Sequence, residues 1–347
     1  MINKKKISAL LLSGAMLMGM NTSVFAANGL EEGTKNNPAT ISITKDFEIP
    51  EGLTSPNVTF QFTVTKVTQD APDATINGIT YSNADTNAIK DGKKILTKTS
   101  SIDFGVFPHA GIYEYKVVEN KGNTDGIKYD NTEYTIQVAV ANADDGSLYV
   151  KTISSKDNKE KKPIKFVNIY KKDDGSLIIE KQTIGELADK TKDFDFTIEF
   201  KKSPTSEQTE FKGMIGDKEV ICTVGQKVNF KLHDKQQLVF KNIPVGARYT
   251  VTEKEAQDGY TPSVIVIENG NKSQIKTANE KDSLSSADNG NTNLVGEKTN
   301  KVEFTNTYED KPITGIVMNN LPFILMIGVA TLGFGALAII KRRKTLR

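Results

Sequence analysis

Through the middle of the chain, apolar and polar side chains alternate with a period of two. Val, Ile, Thr, Phe and Tyr recur, broken by Gly, Asn and Asp. Successive side chains of an extended strand point to opposite faces, so this alternation describes strands with one face buried. β-branched and aromatic residues suit such a surface. Long helical periodicity is absent, and the chain is expected to be all-β, with two tandem antiparallel β-sandwiches. The polar, turn-prone segment Lys171-Lys172-Asp173-Asp174-Gly175 marks the boundary between domains at 27–171 and 172–310.

The two halves repeat each other. Each opens with an apolar strand carrying a lysine, Ile43-Thr44-Lys45 and Ile179-Glu180-Lys181. Phe60-Gln61-Phe62-Thr63-Val64 is matched by Phe194-Asp195-Phe196-Thr197-Ile198. Tyr115-Lys116-Val117-Val118-Glu119 is matched by Tyr249-Thr250-Val251-Thr252-Glu253. Each half closes on F-x-N, at Phe166-Val167-Asn168 and Phe304-Thr305-Asn306. Lysine and glutamate are 74 and 72 residues apart, and glutamate and asparagine 49 and 53.

The phase of these polar residues carries the chemistry. Lys45 shares a face with Ile41, Ile43 and Phe47, and Lys181 with Leu177 and Ile179. Glu119 follows Tyr113, Tyr115 and Val117, and Glu253 follows Tyr249 and Val251. Asn168 lies with Ile164 and Phe166, and Asn306 with Val302 and Phe304. Each half thus puts a Lys, a Glu and an Asn into its core, where each unpaired group would cost several kcal/mol. Fraying strand ends could bring any one of them to solvent. The same trio twice, in phase and at matching separations, points to reaction instead. An apolar core lowers a lysine pKa and leaves a neutral amine nucleophile. It also raises a glutamate pKa, so the acid can hydrogen-bond the asparagine carbonyl and shuttle protons as ammonia leaves. The expected products are Lys45–Asn168 and Lys181–Asn306 isopeptide bonds, with Glu119 and Glu253 as the catalytic residues.

The ends address the chain. Lys4, Lys5 and Lys6 precede an apolar run from Ile7 to Met20, followed by Val24-Phe25-Ala26. This is the layout of a secretory signal peptide over 1–26, and the run is too short for a membrane anchor. Residues 321–340 carry no charge and are long enough for a transmembrane helix. The basic tail 341–347 follows and is expected to stay in the cytoplasm. Before the span lies the segment 311–315, containing Pro312-Ile313-Thr314-Gly315.

Composition narrows the remaining options. The two removable ends hold eight of the 45 basic residues and none of the 43 acidic ones, so the mature chain is acidic. That balance argues against nucleic-acid binding. Cys222 is the single cysteine, so no disulfide forms within the chain, and buried filler is its expected role. His109 and His233 are far apart, and no Cys/His spacing suits a metal. Asp144-Asp145-Gly146 lacks the alternating ligands and closing Glu of a calcium loop and reads as a turn. No nucleophile–base set for an enzyme acting on other molecules can be assembled, and no cofactor or metal is expected.

The carboxyl-terminal pattern resembles the cell-wall sorting signal of Gram-positive surface proteins, usually LPxTG. The resemblance implies that a sortase cysteine attacks the Thr314 carbonyl and releases everything from Gly315 onward. Lys311 stands where Leu is usual, which favours a pilus-specific sortase over a housekeeping one. The trios resemble those of immunoglobulin-like, collagen-adhesin B-type domains with internal isopeptide bonds. Tyr249-Thr250-Val251-Thr252-Glu253 with Ala256, Gly259 and Tyr260 is similar to that family's glutamate box. After Glu119 the first half departs from it, with Asn120-Lys121-Gly122. Two such domains, with Glu160-Lys161-Lys162-Pro163 before the first closing strand, resemble the streptococcal T-antigen-type major (backbone) pilins.

That likeness implies a structural pilus subunit, a sortase substrate and not an enzyme, joined head-to-tail to identical subunits through Thr314 and the next subunit's Lys161. It implies ancillary pilins, peptidoglycan and a host surface as partners. It also implies transient membrane anchoring before the chain reaches the Gram-positive cell wall. No YPKN-type pilin motif is present. Lys162 is in phase with Ile164 and Asn168, whereas Lys161 takes the other face, and a solvated charge run through Lys159, Lys161 and Lys162 stays open. A singly anchored adhesin and a basal or ancillary pilin are the alternatives. An adhesin should add a ligand domain or an exposed aromatic patch, and the chain has no Trp.

Overall fold

The computed structural model describes residues 40–309, apart from 159 and 289. The signal peptide, the sorting motif with Thr314, the apolar span and the basic tail lie outside these residues. Every regular element among the described residues is a β-strand, and the two expected sandwiches are both present.

In the first sandwich, one sheet centres on Thr40–Pro50. This strand pairs antiparallel with Lys93–Phe104 and parallel with Ile164–Tyr170. The facing sheet runs in the order Glu160–Lys161, Leu148–Asp157, Glu133–Asn142, Gly111–Glu119, Phe62–Lys66. Alternation explains the packing: along Gly111–Glu119, residues Tyr113, Tyr115, Val117 and Glu119 are all buried. They close on Ile43, Phe47, Ile164 and Phe166 from the other sheet.

The second sandwich repeats the plan. Gly175–Ile184 pairs parallel with the closing strand Lys301–Tyr308 and antiparallel with Gln237–Ile243. Phe194–Lys201 and Arg248–Glu253 pair in the facing sheet. Phe196, Phe200, Phe240 and Phe304 fill the space between, Phe196 and Phe304 meeting edge-on at 5.2 Å. In both sandwiches the opening and closing strands are therefore parallel neighbours, although one comes first and the other last in the chain.

The sandwiches meet along a defined seam. Val245 belongs by sequence to the second, yet it is buried in the hydrophobic cluster of the first. Its N–H donates to the Lys172 carbonyl at 2.8 Å. Gly246 follows with φ +90, and a Cβ there would come within 2.7 Å of Pro50, so glycine is required by conformation and by space. Arg248 pairs with Glu51, and Thr54 donates to Glu297.

Candidate functional site

The opening strand delivers Lys45 and the adjoining closing strand delivers Asn168, both fully buried. Glu119, 6% exposed, enters from the end of Gly111–Glu119 in the opposite sheet. Lys45 Nζ lies 2.7 Å from Glu119 Oε2, and Asn168 Nδ2 donates to Glu119 Oε1. The Phe60 ring covers the amine at 4.6 Å. Asn168 Oδ1 accepts the backbone N–H of Asp130 at 2.7 Å. Asp130 is fixed in turn, its carboxylate accepting the N–H groups of Val167 and Thr132 at 2.7 and 2.8 Å.

In the second sandwich Lys181, Glu253 and Asn306 are all fully buried. Lys181 Nζ and Asn306 Nδ2 both donate to Glu253 Oε1, at 2.8 and 2.7 Å. Phe194 lies 4.3 Å from the amine. Asn306 Oδ1 has no hydrogen-bond partner, and neither does the hydroxyl of Thr183. Thr183 is 3% exposed and is the register partner of Asn306 across the two parallel strands.

Burial dominates the electrostatics of both trios. It pulls the Lys45 amine below the ordinary lysine range, against the opposing pull of Glu119. It lowers Lys181 further, to about 8. Burial likewise raises Glu119 and Glu253, although each lysine pulls its glutamate back down. Both shifts run toward the neutral amine and neutral acid that an isopeptide reaction would use. One detail differs from expectation. Each carboxyl group meets the nitrogen of the asparagine amide, not its carbonyl oxygen. It therefore bridges the lysine and asparagine nitrogens, a position from which a proton can pass from one to the other.

Sequence reasoning missed Asp130 and Thr183. Asp130 sits in a loop whose approach no periodicity encodes. Thr183 was visible, two residues beyond Lys181 and in its phase, but a threonine in a strand attracts no notice by itself.

The acceptor segment also differs from its sequence reading. Glu160–Lys161 pairs with Leu148–Asp157 in one sheet, and after Pro163 the chain enters the other sheet as Ile164–Tyr170. Phase counted back from Ile164 therefore does not reach Lys162. Lys161 and Lys162 are both exposed. Lys162 is held by Asp157, which raises its pKa, and its backbone is pinned by Ser155 at both N–H and C=O.

Asp144-Asp145-Gly146 forms a turn, with Gly146 at φ +83. Cys222 is fully buried, and burial pushes its thiol up to about 12, so it stays protonated and inert. Among the described residues no cluster of His, Cys, Asp and Glu could hold a metal.

Comparison with known proteins places two families on the chain. Residues 41–171 match the Spy0128-like isopeptide containing domain, and residues 175–308 match a family described as a domain of unknown function. A protein named Pilin from Streptococcus pyogenes serotype M1 is 29% identical, over 97% of this chain and 99% of its own length. The crystal structure of the major pilin from Streptococcus pyogenes is 27% identical over 78% of this chain and 99% of that one, with a TM-score of 0.37. The major pilin protein T3.2 from serotype GAS13637 of the same species is 26% identical over 78% of this chain and 98% of that one, with a TM-score of 0.36.

Proposed function

We propose that this chain, a pilus subunit of the streptococcal major-pilin type, forms the shaft of a covalent cell-surface pilus and hardens itself by internal Lys–Asn bonds. The observation that carries the reading is the twinned trio: a buried Lys, Glu and Asn in contact, in each of two sandwiches.

The chemistry follows from the contacts. The neutral lysine Nζ adds to the asparagine Cγ, and the carbonyl electrons move onto Oδ1. The glutamic acid, protonated when the amine is neutral, gives its proton to Nδ2 and takes one from Nζ in return. The Cγ–Nδ2 bond breaks and ammonia leaves. What remains is one amide and a neutral glutamic acid, in place of a buried ammonium, a carboxylate and a primary amide. Folding supplies the proximity, because the three groups meet only when both sheets close.

Polymerisation is proposed to use the ends. A sortase cysteine cleaves after Thr314 and passes its acyl group to Lys161 of the next subunit; the terminal subunit passes to peptidoglycan. Lys161 is exposed and is taken as the acceptor on the likeness to the streptococcal major pilins. A denaturing gel of cell-wall extract, probed with antibody, tests the shaft reading. A high-mass ladder is expected, and a single sharp band would instead identify a monomeric wall protein.

A further inference from the structure

Attack on an amide carbonyl leaves negative charge on its oxygen, and a donor aimed there lowers the barrier. The first sandwich has such a donor: the Asp130 N–H, 2.7 Å from Asn168 Oδ1. The second sandwich has no hydrogen bond to Asn306 Oδ1. It has a buried hydroxyl that is also without a partner, that of Thr183.

The two orphans are neighbours. Thr183 and Asn306 are register partners on parallel strands and point to the same buried face. Lys181 is on that face two residues earlier. The equivalent position in the first sandwich, opposite Asn168, is Phe47, which can donate nothing. Unpaired buried polar groups are rare and costly, and a reacting centre is one of the few places that explains them. A threonine side chain has more than one accessible χ1 well, so its Oγ1 can turn toward an adjacent oxygen as charge develops there.

We propose that the Thr183 hydroxyl is the oxyanion donor for the Lys181–Asn306 bond, doing with a side chain what the Asp130 N–H does for the first bond with backbone. The hydroxyl keeps its proton throughout. Lys181 Nζ adds to Asn306 Cγ, Oδ1 takes up the carbonyl electron pair under the Thr183 hydrogen bond, and Glu253 moves the proton from Nζ to the departing nitrogen. The pair then returns to the carbonyl as ammonia leaves. The proposal rests on the isopeptide reading above and adds a residue to it.

The test follows ammonia loss during cell-free synthesis, with samples quenched in acid and weighed intact. A Glu119→Ala background leaves only the second bond to form. Thr183→Val keeps the shape and removes the hydroxyl. It is expected to slow the second bond by at least about tenfold, and Thr183→Ser is expected to restore the rate. The melting temperature of a Glu253→Ala, Thr183→Val double variant, measured against Glu253→Ala alone, reports whether the fold itself suffers; little change is expected. An unchanged rate in Thr183→Val overturns the proposal, as does a slowed rate that Thr183→Ser fails to restore. A full calculated mass in the Glu119→Ala parent would instead overturn the isopeptide reading of the second trio, so the two failures look different.

Discussion

Lys45 does not face Asn168 directly; its register partner on the closing strand is Phe166, two residues earlier. The pair is diagonal across adjoining parallel strands, and Lys181 stands in the same relation to Asn306, its own partner being Phe304. Diagonal neighbours on one sheet face lie roughly 7–8 Å apart. A lysine stem and an asparagine together span that gap, whereas a directly opposed pair would crowd the longer side chain. The same offset in both sandwiches suits the proposed cross-link.

The mature protein is expected to weigh two ammonia molecules less than its sequence. Glu119→Ala and Glu253→Ala should each restore one. Intact-mass measurement on the recombinant protein decides this, and the full calculated mass in the parent would rule out both bonds.

Stability against pH should separate linked from unlinked protein. In Asn306→Ala the Lys181 amine remains free, with a folded pKa of about 8 against ~10.4 in an unfolded chain. Between those values the unfolded state holds a proton that the folded state has released, so stability rises with pH. The rise should approach about 3 kcal/mol. With the proposed bond formed, the parent would have no Lys181 amine to titrate and should lack this component. Denaturant melts at pH 7.5 and 10.5 provide the comparison, and parallel pH profiles would contradict it.

Lys161→Ala is expected to abolish the high-mass ladder while monomer still reaches the wall. Lys162→Ala should leave the ladder intact. The reverse pattern on the same gel would move the acceptor by one residue.

Tension in such a shaft enters at Lys161 and leaves at Thr314. Most of the first sandwich hangs beside that path, and the second lies within it. The proposed Lys181–Asn306 bond would join the opening and closing strands of the second sandwich, so force should bypass everything between them. In single-molecule pulling on linked subunits, Glu253→Ala should add a long unfolding extension. Glu119→Ala should add little and should instead lower the thermal stability of its sandwich, by about 5 kcal/mol if a closed loop of this length acts as it does for a disulfide. Equal extension from both variants would defeat this division and the Lys161 assignment with it.

Much of this architecture was legible because a strand writes its burial into alternate letters. The six trio residues stood on apolar faces in the sequence and are buried together in the structure. What depends on three-dimensional approach was not legible. Asp46 takes the face opposite Lys45, yet it is buried by Lys165 at 2.7 Å and Thr97 at 2.7 Å, partners supplied by neighbouring strands. The side of the asparagine amide met by each glutamate depends on how the sheets stack. Pro163, where the chain changes sheets, silently ended a phase count that had seemed to continue through Lys162. The seam between the sandwiches rests on Val245, whose apolar character says nothing of which core it will enter.

That seam has a temporal meaning. A chain made from its amino terminus has all the strands of its first sandwich by Tyr170, but one residue of that core is Val245, which lies 75 residues further on. Until it arrives, the first sandwich lacks that part of its apolar core. The earlier half of the molecule is thus finished by the later half, and vectorial synthesis leaves a waiting interval in which the first domain is nearly folded and has one apolar end uncovered.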